Sequence, residues 1–337
     1  YRAYSFTLRE NLKWDDGTPI KAEDFVYTMS EQLNPLFQNY RADSFYVGST
    51  VIHNAMGYAK QGQSSWYAAD SIYTKYVPAE QDAHIVFSLA PSSEEVPAQA
   101  SFRDSMGFPA SYTAAHTAAY LTTNYLGGSA FTNEVAAKME GKTMAEIKAD
   151  EEMNAAWEAL IGWWQTDPDE ELDFFITHYT FPEMSFDQVG IFVGANPYEL
   201  VVVLDKPLQL LKEDGSLSYH ASYEFSSLPL VHRAKYEANK VAPAEGGTLW
   251  TSTYNSDVNT TASWGPYRLT SFQTGKQYIL ERNPNWFGYH TEGYAGQYET
   301  DRIVCDTIGE WGTAWLQFLK GNIDGIGIDV SVAQEYK

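Results

Sequence analysis

The sequence predicts an α/β protein with a helical region in its middle, and three observations carry that prediction. An alternating run, a turn and an amphipathic stretch follow one another over residues 4–33. Helix-start signals recur between residues 143 and 170. Strand-like runs return near residue 200 and continue to the end of the chain.

YSFTL at residues 4–8 alternates apolar and polar positions, the period of a strand with one buried face. WDDGTP at 14–19 is turn chemistry, Asp-Gly with a following Pro. Residues 22–29 read as a helix, with acidic residues in a first turn that the macrodipole favours. Its apolar face is Phe25, Val26, Met29 and Leu33, and Asn34 before Pro35 ends it. Residues 52–59 read as a second helix. TMAE at 143–146 is a capping box, and the helix after it carries Met153, Trp157, Leu160, Ile161 and Trp164 on one stripe. Asp167 and Pro168 open a further helix. YELVVVL at 198–204 is the strongest strand, stopped by Lys206 and Pro207. Asp214-Gly215 marks a turn, and Leu228 and Pro229 lead into a short helix over 231–238. Residues 242–263 read as a connector. GPYRL at 265–269 and QYILE at 277–281 are two strands around Thr274 and Gly275. Residues 303–308, 311–320 and 323–328 read as strand, helix and strand, a parallel crossover.

At 337 residues the chain is long enough for about two domains. With 44% hydrophobic and 20% charged residues it carries enough apolar material for a core, which excludes disorder for its bulk. No apolar run is long enough to span a bilayer. The N-terminus shows no basic, signal-type stretch, so the expectation is a processed or trimmed chain. Lys plus Arg is 22 and Asp plus Glu is 44, so the net charge is −22. Such a surface repels polyanions, which excludes nucleic acid as a partner and disfavours anionic membranes. It fits a soluble, secreted or cell-surface monomer. The single cysteine, Cys305, excludes an intrachain disulfide and a cysteine zinc site. Within RIVCD at 302–306 it reads as a small buried residue rather than a nucleophile. Aromatic residues make up 15% of the chain. They suit pockets for amphipathic ligands and equally suit cores, and composition leaves both open.

The search for catalytic chemistry is negative. The histidines, at positions 53, 84, 116, 178, 220, 232 and 290, form no His-Glu-x-x-His motif, and there is neither a Gly-x-Ser-x-Gly elbow nor a phosphate-binding glycine loop. Asp15 and Asp16 could supply half of a glycosidase pair, but a solvated turn explains them better. Asp167, Asp169, Glu170, Glu171 and Asp173 suggest oxygen ligands for calcium, but helix capping accounts for them and the EF-hand glycine is absent. No metal and no cofactor is expected.

Taken in order, several segments resemble family 5 extracellular solute-binding proteins, the oligopeptide- and dipeptide-binding components of ABC importers. YSFTLRE at 4–10, LKWDDGTP at 12–19 and KAEDFVY at 21–27 resemble the family signature. YELVVVLDKP at 198–207, LP at 228–229, WGPYRL at 264–269, LERNPNW at 280–286 and FLKGNID at 318–324 follow in the family's order. The resemblance implies an α/β, periplasmic-binding-protein-like class II fold, seen as part of lobe one plus the smaller α/β subdomain. Residues 1–60 and 188–245 would form that subdomain and residues 246–337 part of lobe one with a mixed sheet. Residues 61–187 would be a mostly helical insertion, and the second lobe would be absent from this incomplete chain.

For function, the resemblance implies an extracytoplasmic, peptide-binding component of an ABC importer and no enzyme. Its partners would be a peptide and the permease subunits, with a membrane reached only through a lipid anchor and no nucleic acid. Positional matching to the family puts Phe45, Tyr46, Tyr223, Phe225 and Ser226 at the ligand, each in a loop beside a helix and most of them aromatic. The readings that stay open are a binding protein for a sugar or metal chelate, a secreted glycoside hydrolase using paired carboxylates, and a surface adhesion module.

Overall fold

The structure is a computed structural model that describes residues 2–48, 50–68, 79–89, 113–166, 176–208 and 221–328. The helix expected from Asp167, the turn at Asp214 and the side chain of Trp164 lie outside the described residues. The chain divides into two compact units. One comprises residues 1–41, 47–53 and 190–337, and the other residues 42–46 and 54–189.

The first unit opens with strand β1 (Ala3–Thr7) and helix α1 (Ala22–Gln32). The carboxylate of Asp24 accepts the Lys21 backbone N–H at 2.8 Å, satisfying a donor that the helix start leaves free. Met29 and Leu33 of the expected apolar face are buried, and Phe25 and Val26 are half-buried.

The second unit begins with α2 (Ala55–Lys60), β2 (Ser64–Ala68) and β3 (Ile85–Ser88). Among the described residues four helices follow: α3 (Ala114–Asn124), α4 (Asn133–Met139), α5 (Met144–Ala149) and α6 (Glu151–Thr166). Strand β4 (Ile176–Thr180) comes next. The Thr143–Glu146 capping box forms as its spacing requires: Glu146 Oε2 accepts the Thr143 N–H at 2.8 Å and Thr143 Oγ accepts the Glu146 N–H at 3.2 Å. Strand β4 pairs antiparallel with β2 on one side and β3 on the other. The stripe on α6 does what its period predicts. Met153, Trp157 and Leu160 are buried with Phe87, Leu121, Phe131 and Met139, and the Phe87 and Trp157 rings meet edge-on at 6.0 Å. The helix expected over 52–59 starts three residues late. Asn54 takes a left-handed φ of 57°, and Ile52 is buried in a bridge to Leu204.

Back in the first unit, β5 (Ile191–Val193) and β6 (Glu199–Val203) complete a sheet ordered β1-β6-β5. After them come α7 (Ala221–Glu224), α8 (Arg233–Ala238) and the short pair β7 (Lys240–Val241) and β8 (Thr251–Ser252). Strands β9 (Tyr267–Gln273), β10 (Gln277–Arg282) and β11 (Arg302–Asp306) form a sheet with β10 in the centre, and helix α9 (Trp311–Leu319) follows it. All these described pairings are antiparallel, so the sheet of residues 246–337 is not mixed within the described residues. The expected parallel crossover does not form, because residues 323–328 are irregular. Gly325 and Gly327 weaken that stretch as a strand, and the Gly327 carbonyl accepts the Trp311 indole N–H at 2.9 Å rather than a ladder bond.

Gly190 sits where backbones crowd. Its N–H donates to His53 O at 2.9 Å and its carbonyl accepts the Val203 N–H at 2.7 Å. A Cβ there would collide with the Val203 carbonyl and come within 2.9 Å of the His53 Cβ. Gly190→Ala is therefore expected to lower unfolding stability by about 1–3 kcal/mol, read from urea melts. An unchanged midpoint would show that the backbone yields without cost.

Candidate functional site

The turn at 14–19 is where distant segments of the first unit converge. Trp14 is buried with Leu12 and Ile20, and Gly17 takes a φ of +90° that favours glycine. Thr18 N–H donates to Asp16 Oδ1 at 2.9 Å. Asp15 is held from two directions. Its N–H donates to Ser263 O at 2.7 Å while its carboxylate accepts the Ser263 N–H at 3.2 Å, and its carbonyl accepts the Asn285 side-chain amide at 3.0 Å. The fully buried Asn283 donates to Gly265 O at 2.9 Å and accepts the Asn285 N–H at 3.0 Å.

Asp16 reaches His232, 216 residues away, with Oδ2 3.0 Å from Nε2. His232 is buried against the Trp14 ring, and its Nδ1 accepts the Lys235 N–H at 3.3 Å, capping α8. Because Nδ1 accepts, Nε2 carries the hydrogen that goes to Asp16. Burial raises the Asp16 carboxyl, but hydrogen bonds from the Thr18 backbone and side chain and from His232 outweigh it and hold the group below its ordinary value. Both nitrogens of the imidazole are engaged, so this Asp–His pair ties the turn to a helix start and offers no free base.

A second polar constellation lies between α1, α8 and β7. The Lys240 ammonium is 2.9 Å from both Glu31 Oε1 and Glu237 Oε1 and faces the rings of Tyr27, Phe37 and Tyr236. Tyr27 donates a short hydrogen bond to Glu237. Burial, and then the charges of Glu31 and Glu237, push the Tyr236 phenol up to about 12. Burial lowers Lys240, but hydrogen bonds to Glu237 and Glu31 hold it above its ordinary value. A groove of about 410 Å³ lies at the Gly275 end of the β9–β11 sheet, lined among others by Lys276, Asp306, Thr307, Thr313, Gln317 and Asn322. Neither arrangement has a signature in local sequence spacing.

The residues expected at a ligand do not all share one environment. Tyr223, on α7, is 71% exposed, and Ser226 Oγ donates to its carbonyl at 2.7 Å. Thr50 donates to Glu224 at 2.6 Å beside it. Phe225 is only 7% exposed and packs against Tyr4 and Phe6 with ring centroids 5.4 and 4.9 Å away. It faces the core because β1 offers two aromatic rings on that side, so Phe225 serves packing rather than contact with a ligand. Phe45 and Tyr46 are half-buried and belong to the second unit, whereas the other three belong to the first.

Residues 1–146 and 177–337 match the family described as bacterial extracellular solute-binding proteins, family 5 Middle. The chain belongs to this family, whose members are binding proteins, and has its α/β fold. Of the stretch 61–187, the match leaves out residues 147–176. Short segments resemble curated relatives. The periplasmic murein peptide-binding protein MppA of Escherichia coli is 53% identical over 34 residues, which is 10% of this chain and 6% of that protein. The periplasmic oligopeptide-binding protein OppA of Salmonella typhimurium is 49% identical over 35 residues, again 10% and 6%. Among solved structures, Listeria monocytogenes OppA bound to peptide aligns with 99% of this chain and 36% of its own, at a TM-score of 0.44 and 13% identity. The chain thus spans about a third of that structure's length. Among the described residues no helix is long and apolar enough to cross a membrane.

The folded Asp16 carboxyl lies below its ordinary value, so its contribution to stability is present above that value and is lost as pH falls through the folded one. Asp16→Asn is therefore expected to lower the urea midpoint at pH 7, with the gap to wild type closing as the pH is taken from 5 towards 2. A gap that stays constant over that range would show that the carboxylate charge is irrelevant.

Proposed function

We propose that the protein is the extracytoplasmic substrate-binding component of an ABC importer and that its substrate is a peptide. The observation that carries this reading is the family match running through residues 1–146 and 177–337. The peptide assignment follows the names of the relatives whose segments it shares. Capture without chemistry suits a chain whose Asp16–His232 pair is engaged on both ring nitrogens. Tyr223 and Ser226 are the residues of the first unit proposed to touch the ligand; Phe45 and Tyr46 stay expectations from the resemblance. An exposed Tyr beside a Ser hydroxyl offers an apolar face and hydrogen bonding to a sequence-tolerant partner. The permease subunits are the proposed macromolecular partners, and the proposed location is the cell exterior or periplasm, as a monomer held by a lipid anchor.

Native mass spectrometry of the protein purified without added ligand tests the class. Peptide adducts are the expected result, and a sugar or metal-chelate adduct in their place would overturn it. Calorimetry with the recovered peptide tests the residues. Tyr223→Ala is expected to weaken binding about tenfold, and unchanged affinity would remove this residue from the site.

A further inference from the structure

Helix α8 begins on an imidazole where a Ser, Asp or Asn would be usual. His232 Nδ1 accepts the Lys235 N–H at 3.3 Å, the bond that an N-cap side chain supplies. That bond uses the Nδ1 lone pair, so it exists only while the ring is neutral. The hydrogen on Nε2 goes to Asp16 Oδ2, 3.0 Å away. Helix α8 has six residues, and isolated helices that short are marginal, so the loss of one cap is felt.

With Nε2 already carrying a hydrogen, a proton taken up by the ring goes to Nδ1. The new N–H points at the Lys235 N–H, and donor then faces donor. The added charge also sits at a helix start, where the macrodipole opposes it. The surroundings of the ring otherwise favour that charge. Asp16 acts on it from the turn at 14–19 and Asp24 from α1. The Asp16 carboxyl lies below its ordinary value, so it stays charged at the mildly acidic pH where imidazoles titrate. The Trp14 ring, its centroid 5.2 Å from that of His232, adds a face suited to a cation. The His232 backbone N–H donates to the Tyr254 hydroxyl at 3.1 Å, and the charge of Asp15 reaches Tyr254. The neighbouring cations of α8 are engaged elsewhere. Lys235 Nζ donates to Thr261 O at 2.6 Å, and the Arg233 guanidinium lies 4.8 Å over the Tyr27 ring. Proton uptake therefore strengthens one bond of the imidazole and abolishes the other.

We propose that His232 is a proton-operated latch on helix α8. Neutral, it ties the first turn of α8 to the turn at 14–19. Protonated, it stays with Asp16 and releases Lys235, so the helix start opens while the turn remains anchored. The Val231 N–H, just before the ring, is held by Thr28 Oγ on α1 at 3.0 Å, which confines the opening to the residues after it. The proposal rests on this hub alone and does not depend on the importer reading.

NMR of the whole chain tests it, following the His232 ring nitrogens together with amide exchange from about pH 8 to about pH 5. The neutral ring is expected to carry its hydrogen on Nε2. Protection of the Lys235 N–H, corrected for the intrinsic pH dependence of exchange, is expected to fall about fivefold through the midpoint of the ring's own titration, while that of the Val231 N–H holds. His232→Asn, whose side-chain oxygen caps without titrating, is expected to keep Lys235 protected throughout. If that variant does not fold, the contrast between Lys235 and Val231 in the wild-type chain decides the matter. A neutral ring with its hydrogen on Nδ1, a ring that does not titrate in this range, or Lys235 protection unchanged through the midpoint would overturn the proposal. So would a loss that Val231 shares equally or that His232→Asn reproduces.

Discussion

The Asp15–Asp16 turn is the constraint on which the first unit depends. A six-residue loop held only by its own backbone would be a weak element. Here Asp15 is fixed by Ser263 and Asn285, and Asp16 by His232, so chain segments about 215 to 270 residues away close onto one point. Hydrogen bonds to a charged carboxylate are stronger than neutral ones, and the Trp14 ring is buried against His232. The turn also sets the start of α8, because the imidazole that faces Asp16 caps that helix with its other nitrogen. Thr28 on α1 adds a further tie by accepting the Val231 N–H at 3.0 Å.

The second unit is held by different means. Apart from the 16-residue α6, its described helices are short, and isolated helices of that length are marginal in water. Three of them start from threonine caps, at Thr113, Thr132 and Thr143, and their apolar faces meet around Trp157 and Phe87. Burial therefore has the part that hydrogen bonding to a carboxylate has around Asp16.

The aromatic side chains split between buried positions such as Trp14 and Phe87 and exposed ones such as Tyr223. Tyr223 stands on the short helix α7 beside the Thr50–Glu224 hydrogen bond, and Phe225 just after it is buried against β1.

Local rules made much of this legible in the sequence. Alternation marked β1, a run of apolar residues marked β6, the capping box marked α5, the stripe marked α6, and the Asp-Gly turn with its following Pro marked residues 14–19. These depend on a few consecutive residues, which is why one dimension sufficed. What only the tertiary structure decided was pairing and burial. Residues 323–328 look like a strand by composition, yet stay irregular because a strand needs a partner edge and two glycines weaken it. Phe225 looks like a ligand contact, yet Tyr4 and Phe6 bury it, and Asp16 keeps the exposed turn position its local sequence indicates while also reaching His232. Each outcome depends on residues some 200 positions away, and no local pattern encodes which distant side chain will arrive.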